Sequence, residues 1–317
     1  MRAGLAVAVM ALTALGTHTS APGAASGTSE PGKQTPGNQT YCAPDGAAPA
    51  AEARVRPGSQ LGDIGDVTRA QQRAMERQLR SALADVEPRG VGPITVPVRM
   101  HVILRDNGTG GVTNVQIAAQ LEAINRAFAG ATSGPAAASP FTFELASISR
   151  TRNSDWYAWT LGDDDAPAKR ALHRGGPATL NVYVAGLRRG LLGYAYFPVP
   201  QPLFRDGLVL LNESLPGGSA APYNRGDTAT HEIGHWLGLY HTFENSCAKP
   251  GDRVADTPRQ FDGRNVYKCN EALNTCPALG RDPVHNFMSY GTDLCLNMFT
   301  TGQVNRMVAV WKAFRAP

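Results

Sequence analysis

The amino-acid sequence predicts a mixed α/β domain built around one twisted sheet. Between residue 94 and the C-terminus, the patterns indicate one strand, one helix, several further strands and a closing helix. This order is typical of a domain in which helices pack against a single sheet. A chain of 317 residues with 42% hydrophobic residues can bury a sizeable core in one large domain or two modest ones.

The individual elements follow from local periodicity. Residues 94 to 104 (ITVPVRMHVIL) alternate as a strand does, and residues 113 to 128 (TNVQIAAQLEAINRAF) place apolar side chains at helical spacing. Four further strands are predicted at FTFELASI, TLNVYVAGL, GYAYF and GLVLLN. The closing segment TTGQVNRMVAVWKAF has Thr300 and Gln303 at the spacing of a capping box, which predicts a C-terminal helix.

The first 92 residues have a different character. Residues 1–25 combine Arg2, an apolar stretch and small residues, which is the pattern of a secretory signal peptide. Residues 26–92 then give a stretch rich in Ala, Pro, Gly, Ser and Thr, predicted to be poorly ordered to about residue 60, followed by one amphipathic helix. We expect 26–92 to be a pro-segment, cut within VEPRGVGP near Arg89, and 93–317 to be the main domain.

Charge and cysteine content narrow the cellular setting. The net charge of +4 is spread thinly, and no run of Lys or Arg predicts nucleic-acid binding or a membrane patch. Past the signal peptide, no stretch is apolar enough to span a membrane. Four of the five cysteines lie close together near the C-terminus, at 247, 269, 276 and 295, where an oxidising compartment would pair them in one of three ways. We therefore expect a secreted, extracellular protein.

The segment THEIGHWLGLYHTF, residues 230 to 243, carries the chemistry. His231 and His235 lie one helical turn apart, so both imidazoles can bind one metal ion. Glu232 would lie beside that ion as a general base. Gly238 can end the helix with a positive φ and let His241 approach from another direction. Three nitrogens and one open position favour a catalytic zinc ion.

Other interpretations of this segment fit its residues less well. A single histidine is most often a surface or core residue, but the joint spacing of three histidines is rare by accident. A non-catalytic, zinc-stabilised binding or toxin-like module would keep the histidines but has no need of Glu232. A peptidase of the thermolysin type takes its third ligand from a glutamate on a second helix, which His241 argues against.

With its extended spacing, this motif resembles that of the metzincin zinc metalloproteases. The chain further resembles the pappalysin family over roughly residues 94 to 317. The resemblance is carried by the segments HTFENSC, GDRVADTP, NFMSY and MFTTGQVNRM. The resemblance implies a mostly parallel sheet with an antiparallel edge strand, an active-site helix and a C-terminal helix. It also implies that Met288 forms an apolar floor under the metal and that Tyr290 holds the reacting carbonyl.

The same resemblance implies further features of the site. Disulfides would join Cys247 to Cys276 and Cys269 to Cys295, and calcium would bind near GDRVADTP, through Asp252, Asp256 and Thr257. An extended substrate would lie against an antiparallel edge strand, for which LLGYAYFP at 191 to 198 is the candidate. The pocket for the residue after the cleaved bond would be lined by GTDLCLNMF. There, an inward Asp293 favours basic residues and an inward Leu294 favours apolar ones.

Cys42 is the odd cysteine of an exported chain. Because a thiolate binds zinc strongly, Cys42 could occupy the open metal position and keep the enzyme latent until the pro-segment is removed. The alternative is a free cysteine that is lost with the pro-segment or paired with another chain. The sequence thus predicts a secreted zinc endopeptidase, made as a latent zymogen and monomeric, that acts on protein or peptide substrates.

Overall fold

The computed structural model describes residues 51–59, 67–84, 86, 92–159, 165–199, 201–277 and 280–316. The predicted signal peptide and Cys42 lie outside these residues, as does most of the predicted processing region around Arg89. The strands are β1 Ala51–Val55, β2 Ile94–Leu104, β3 Phe141–Arg152, β4 Leu180–Ala185, β5 Leu191–Tyr196 and β6 Leu208–Leu211. The helices are α1 Arg69–Ala84, α2 Asn114–Phe128, α3 Ser154–Tyr157, α4 Ala166–Leu172, α5 Asp227–Trp236 and α6 Thr301–Phe314. Across the described part of the chain, no helix has the length and apolar character needed to span a membrane.

The six strands form one mixed sheet in the order β1-β5-β6-β4-β2-β3. Strand β2 runs parallel to β3 and β4, and β4 runs parallel to β6. Strand β5 is antiparallel to β6, and β1 is antiparallel to β5. The predicted mixed, mostly parallel sheet is therefore confirmed. The stretch 191 to 198 is not the edge strand, however, because β5 lies between β1 and β6 and the antiparallel strand at the edge is β1.

The main core lies between one face of the sheet and helices α2, α5 and α6. Its side chains are almost fully removed from solvent, and each large one contributes about 1.5–3 kcal/mol on burial. Representative members are Val96, Val98, Ile117, Phe128, Ile233, Trp236 and Trp311. Because α5 is buried on all sides, its polar side chains are fixed in an apolar environment.

Side-chain caps set the beginning of two helices. Thr113 and Gln116 form a capping box at α2, and Thr300 and Gln303 form the predicted capping box at α6. Each box supplies partners to backbone N–H groups that have none within the helix. The C-terminal helix is thus confirmed, with its first turn held next to the segment that contains Met288.

One expectation about order was wrong. Residues 51–55 fall in the stretch predicted to be poorly ordered, yet they form β1, whose backbone pairs with β5 from Ala51 opposite Tyr196 to Val55 opposite Leu191. The sequence AEARV alternates apolar and charged residues over only five positions, and alanine and glutamate are poor strand formers, so its structure depends on the partner strand. The helix predicted after this stretch is confirmed as α1.

Two disulfides hold the long segment between His241 and Met288. Cys247 pairs with Cys276 and Cys269 pairs with Cys295, as the family resemblance implied. Since this segment has little regular structure, the two crosslinks reduce the conformational entropy lost when it folds.

Candidate active site

Helix α5 presents the first part of the predicted metal motif. His231, Glu232 and His235 lie on it, all fully buried. The helix is followed by Gly238 at φ 84°, a left-handed conformation that strains any residue with a side chain. The chain then turns and brings His241, also buried, to the same point.

The three imidazoles converge through their Nε2 atoms. The Nε2 of His231 lies 3.0 Å from that of His235 and 3.2 Å from that of His241, and the last pair is 3.2 Å apart. Tetrahedral zinc ligands at about 2.0–2.1 Å from the ion stand roughly 3.3 Å apart, so the spacing fits zinc. The third member of the cluster is a histidine, as predicted, and not a carboxylate from a second helix.

Backbone carbonyls fix the tautomers of two of these rings. Nδ1 of His231 lies 2.6 Å from the carbonyl oxygen of Phe287, and Nδ1 of His235 lies 2.8 Å from that of Leu239. A carbonyl only accepts, so each Nδ1 carries the hydrogen and each Nε2 carries a lone pair. Lone pairs this close repel one another unless a cation lies between them, which supports a metal site.

The electrostatic environment keeps these rings neutral. Burial lowers the pKa of His235 to about 3, and burial together with the neighbouring imidazoles holds the pKa of His231 and His241 well below the usual range. Neutral imidazole is the form that binds a metal. Burial has the opposite effect on Glu232, whose pKa is raised well above its usual value.

Met288 packs against helix α5, which carries His231 and His235, and its role as an apolar floor under the metal stays a prediction. It is completely buried, and its sulfur packs so closely on Gly234 that a Cβ at that position would collide with it. The turn is tied to α6, because the side-chain amides of Asn286 and Gln303 exchange hydrogen bonds of 2.8 and 3.0 Å. Asn286 Oδ1 also accepts from the backbone N–H of Met288 at 2.9 Å.

A peptide group of β1 lies directly on the predicted catalytic residues. The hydroxyl of Tyr290 donates to the carbonyl oxygen of Ala53 at 2.6 Å. The next N–H, that of Arg54, donates to Oε1 of Glu232 at 3.1 Å. The Ala53–Arg54 peptide group is therefore hydrogen-bonded at its carbonyl by the Tyr290 phenol and at its nitrogen by the Glu232 carboxylate.

Strand β5 places this peptide group. It contains most of the predicted substrate-binding stretch 191 to 198, and Gly193 pairs with Arg54 in the register of the two strands. A Cβ at Gly193 would press on Thr228 and Glu232, so glycine lets the strand approach α5 closely. Strand β1 therefore occupies the edge of the sheet beside β5, next to α5.

The side chain of Arg54 fills a closed, polar pocket. Its Nη1 lies 3.0 Å from Oδ1 of Asp293 and donates to Oγ1 of Thr228 at 3.0 Å, and its Nη2 donates to the carbonyl oxygen of Gly291 at 2.6 Å. Both charged side chains are fully buried. Leu294 instead is 68% exposed. Of the two alternatives left open by the sequence, the inward one is Asp293.

Acidic side chains also lie on β1 and in the predicted calcium segment. Glu52 Oε2 lies 3.2 Å from Nδ1 of both His235 and His241, so β1 also places a carboxylate beside the rings. Asp252 and Thr257 of the predicted calcium set are buried, but Asp256 caps α6. Its carboxylate accepts from the Thr300 hydroxyl and the Gly302 N–H, both at 2.8 Å.

Some residues of the site were not found from the sequence. Gly193 and Gly234 act by leaving space for a neighbour that is distant in the chain. A glycine inside a helical motif and another inside a strand were the available signals, since each is unfavourable without a packing reason. Ala53 and Arg54 carried no comparable local signal.

This fold buries three converging imidazoles above a methionine turn and lays an extended chain beside them, which defines the metzincin class of metallopeptidases. Residues 180–312 match peptidase family M43, described as pregnancy-associated plasma protein-A. An extracellular metalloprotease of Arthroderma benhamiae is 38% identical over 255 residues, covering 77% of this chain and 89% of the relative. One of Colletotrichum graminicola is 42% identical over 236 residues, covering 71% and 80%.

Solved structures agree with this assignment. Mature mirolysin of Tannerella forsythia, in complex with a cleaved peptide, matches with a TM-score of 0.59 at 28% identity, covering 71% of this chain and 97% of that one. Promirolysin of the same organism matches with a TM-score of 0.63 at 26% identity, covering 80% and 93%. The chain belongs to the pappalysin family, peptidase family M43, and is a metzincin-type zinc metalloendopeptidase.

Proposed function

We propose that this protein is a zinc endopeptidase held latent by its own strand β1, with His231, His235 and His241 as the zinc ligands. The observation that carries the proposal is the Ala53–Arg54 peptide group lying on Tyr290 and Glu232 next to the converging Nε2 atoms. When bound, zinc supplies a Lewis acid and lowers the pKa of water to about 7.

The chain's own residues supply the remaining steps. Glu232 accepts a proton from the attacking water and delivers it to the leaving nitrogen, which it already contacts through the Arg54 N–H. Its buried setting, which raises its pKa, suits a group that must carry a proton between the two steps. Tyr290 donates a hydrogen bond to the carbonyl oxygen as negative charge develops there.

Strand β1 accounts both for the inactivity of the full chain and for its activation by cleavage. While β1 pairs with β5, the cleft is filled and other substrates are excluded. Because the Ala53–Arg54 bond has the geometry of a substrate, we propose that the enzyme hydrolyses it within its own chain. Water adds across the C–N bond, giving a carboxylate on Ala53 and an amine on Arg54. Cys42 remains a predicted second element of latency.

The proposal is tested on the full chain purified with a chelator and then supplied with zinc. We expect about one tightly bound zinc per chain, a new N-terminus at Arg54 by intact mass, and casein hydrolysis after the cut. A cut within one chain proceeds at a rate independent of protein concentration. An Arg54→Ala variant should be cut more slowly at this bond.

Three outcomes contradict different parts of the proposal. A chain that binds no zinc removes the metal site, and zinc-loaded protein without casein hydrolysis removes the endopeptidase activity. Cleavage only near Arg89 removes the assignment of Ala53–Arg54 as the processed bond. In that case the predicted pro-segment boundary at residue 92 would stand instead.

The pocket around Asp293 supports a preference for arginine or lysine after the cleaved bond. Asp293 is held in place because its Oδ2 accepts from the backbone N–H of Arg225 at 2.8 Å. A buried carboxylate of this kind favours a cationic side chain strongly over an apolar one of the same length. Arginine further satisfies the Gly291 carbonyl, which the Arg54 side chain contacts at 2.6 Å.

We also propose a calcium ion at Asp252, with a pH dependence that tests it. Burial raises the pKa of Asp252 from 3.8 to about 7, so without a cation the folded state keeps a proton that the unfolded state has lost. The free energy of unfolding should therefore fall as the pH rises from about 3.8 to about 7. Calcium should remove the decline, as should Asp252→Asn, in thermal melts with and without a calcium-selective chelator. An identical pH slope with and without calcium would rule out the site.

Secretion of this chain is likewise a proposal. It is supported by the signal-peptide pattern of residues 1–25 and by relatives named extracellular metalloproteases. The paired cysteines fit an oxidising compartment. A monomeric state remains a prediction from the sequence.

A further inference from the structure

Helix α1 packs against the part of the molecule that carries the third histidine. Its buried face presents Met75 and Leu79, and Met75 joins an apolar cluster with Phe197 and Tyr240. Tyr240 immediately precedes His241 in the chain, and the ring of Phe197 lies 5.7 Å from that of His235. The helix therefore packs on residues that adjoin two of the three converging histidines.

Polar contacts from α1 reach the chain on the far side of His241 as well. The side-chain amide of Gln72, only 1% exposed, donates to the carboxylate of Glu244 and accepts from Nδ2 of Asn245 at 2.9 Å. Glu244 and Asn245 follow His241 by three and four residues. Helix α1 thus contacts the chain just before and just after this ligand.

Glu76 connects α1 to the glycine turn. Its Oε1 lies 2.5 Å from Nη2 of Arg306 and accepts from the hydroxyl of Tyr240 at 3.3 Å. Arg306 in turn donates through Nε to the carbonyl oxygen of Gly238 at 2.8 Å. A continuous set of hydrogen bonds therefore leads from α1, through α6, to the turn that aims His241 at the metal position.

From these contacts we infer that α1 is a permanent part of the enzyme and that Gln72 and Glu76 are positioning residues for His241. The inference rests on the proposed zinc site, and it departs from the predicted pro-segment of 26–92. A cut at Ala53–Arg54 leaves α1 attached to the catalytic part. Loss of α1 would uncover apolar side chains and leave the turn with fewer restraints.

The test measures zinc affinity, which a merely covering helix would not change. It uses the full chain carrying Glu232→Ala, to prevent self-cleavage, and competition with a chelating indicator. Adding Glu76→Ala should weaken zinc binding about 10-fold, because groups that orient metal ligands typically contribute this much or more. Glu76→Gln keeps an acceptor for Tyr240 and should recover part of the loss. Gln78→Ala, on the exposed face of α1, is the control.

The outcomes separate this inference from the proposed function. Equal zinc affinity for the Glu76 and Gln78 variants would overturn it while leaving the zinc site intact. A matured enzyme whose N-terminus lies beyond Ala84, without α1 and with unchanged zinc affinity, would also overturn it. If Glu76→Ala does not fold, the comparison of Glu76→Gln with Gln78→Ala decides. Absence of zinc from every variant would instead contradict the proposed function, and this inference with it.

Discussion

Glu232→Ala is expected to reduce kcat/KM for peptide hydrolysis by about 100- to 10,000-fold, the usual contribution of a general acid–base residue. The carboxylate lies within 3.1 Å of the Arg54 nitrogen, and alanine leaves no group there to move a proton. The Ala53–Arg54 bond should therefore stay intact in the full chain. The zinc content of the variant should equal that of the wild type, because Glu232 is not one of the three proposed zinc ligands.

One control variant makes this result specific. Glu122→Ala removes an exposed acid from α2 and should leave both hydrolysis and self-cleavage unchanged. A folded, zinc-loaded Glu232→Ala protein that cleaves casein at the wild-type rate would exclude Glu232 as the base. It would not by itself remove the metal site.

Asp293→Ala is expected to have the second large effect, on substrate choice. Removing one partner of a buried ion pair costs about 2–5 kcal/mol, which is ~30-fold or more in kcat/KM for substrates with arginine after the cleaved bond. Substrates with leucine at that position should lose little or become better, because no buried carboxylate is left to desolvate. Matched peptides differing only at this residue measure the ratio.

The control for this prediction is Asp155→Ala, an exposed acid on α3. It should leave the preference for arginine over leucine unaltered. If Asp293→Ala kept the wild-type ratio, the preference would have to arise elsewhere in the pocket. In the Asp293→Ala variant β1 should also be bound less tightly, because the Arg54 side chain loses the carboxylate that lies 3.0 Å away.

Much of the fold and the core of the site could be predicted because they depend on local spacing. Each of these signals involves residues within about ten positions of one another. They are the histidines one helical turn apart, the glycine that ends the helix, and the alternating residues of the strands. The disulfide pairing and the roles of Met288 and Tyr290 came from the family resemblance, and the sequence alone allowed three pairings. The structure confirms the predicted pairing, whereas the roles of Met288 and Tyr290 stay predictions.

What the sequence did not reveal depends on contacts between distant segments. Residues 51–55 alternate as a strand does, but over only five positions and with two alanines, and their structure comes from pairing with β5, about 140 residues later. The choice between Asp293 and Leu294 likewise required knowing which one faces Arg54. Neither was available from neighbouring residues.

By itself, then, the sequence determined which side chains can hold a metal, since that follows from helical geometry over eleven residues. Only the tertiary structure decided what lies in the cleft and which helix supports the third histidine. The physical reason is that β1 and α1 are stabilised by the surfaces they cover, and those surfaces are formed by residues distant in the chain.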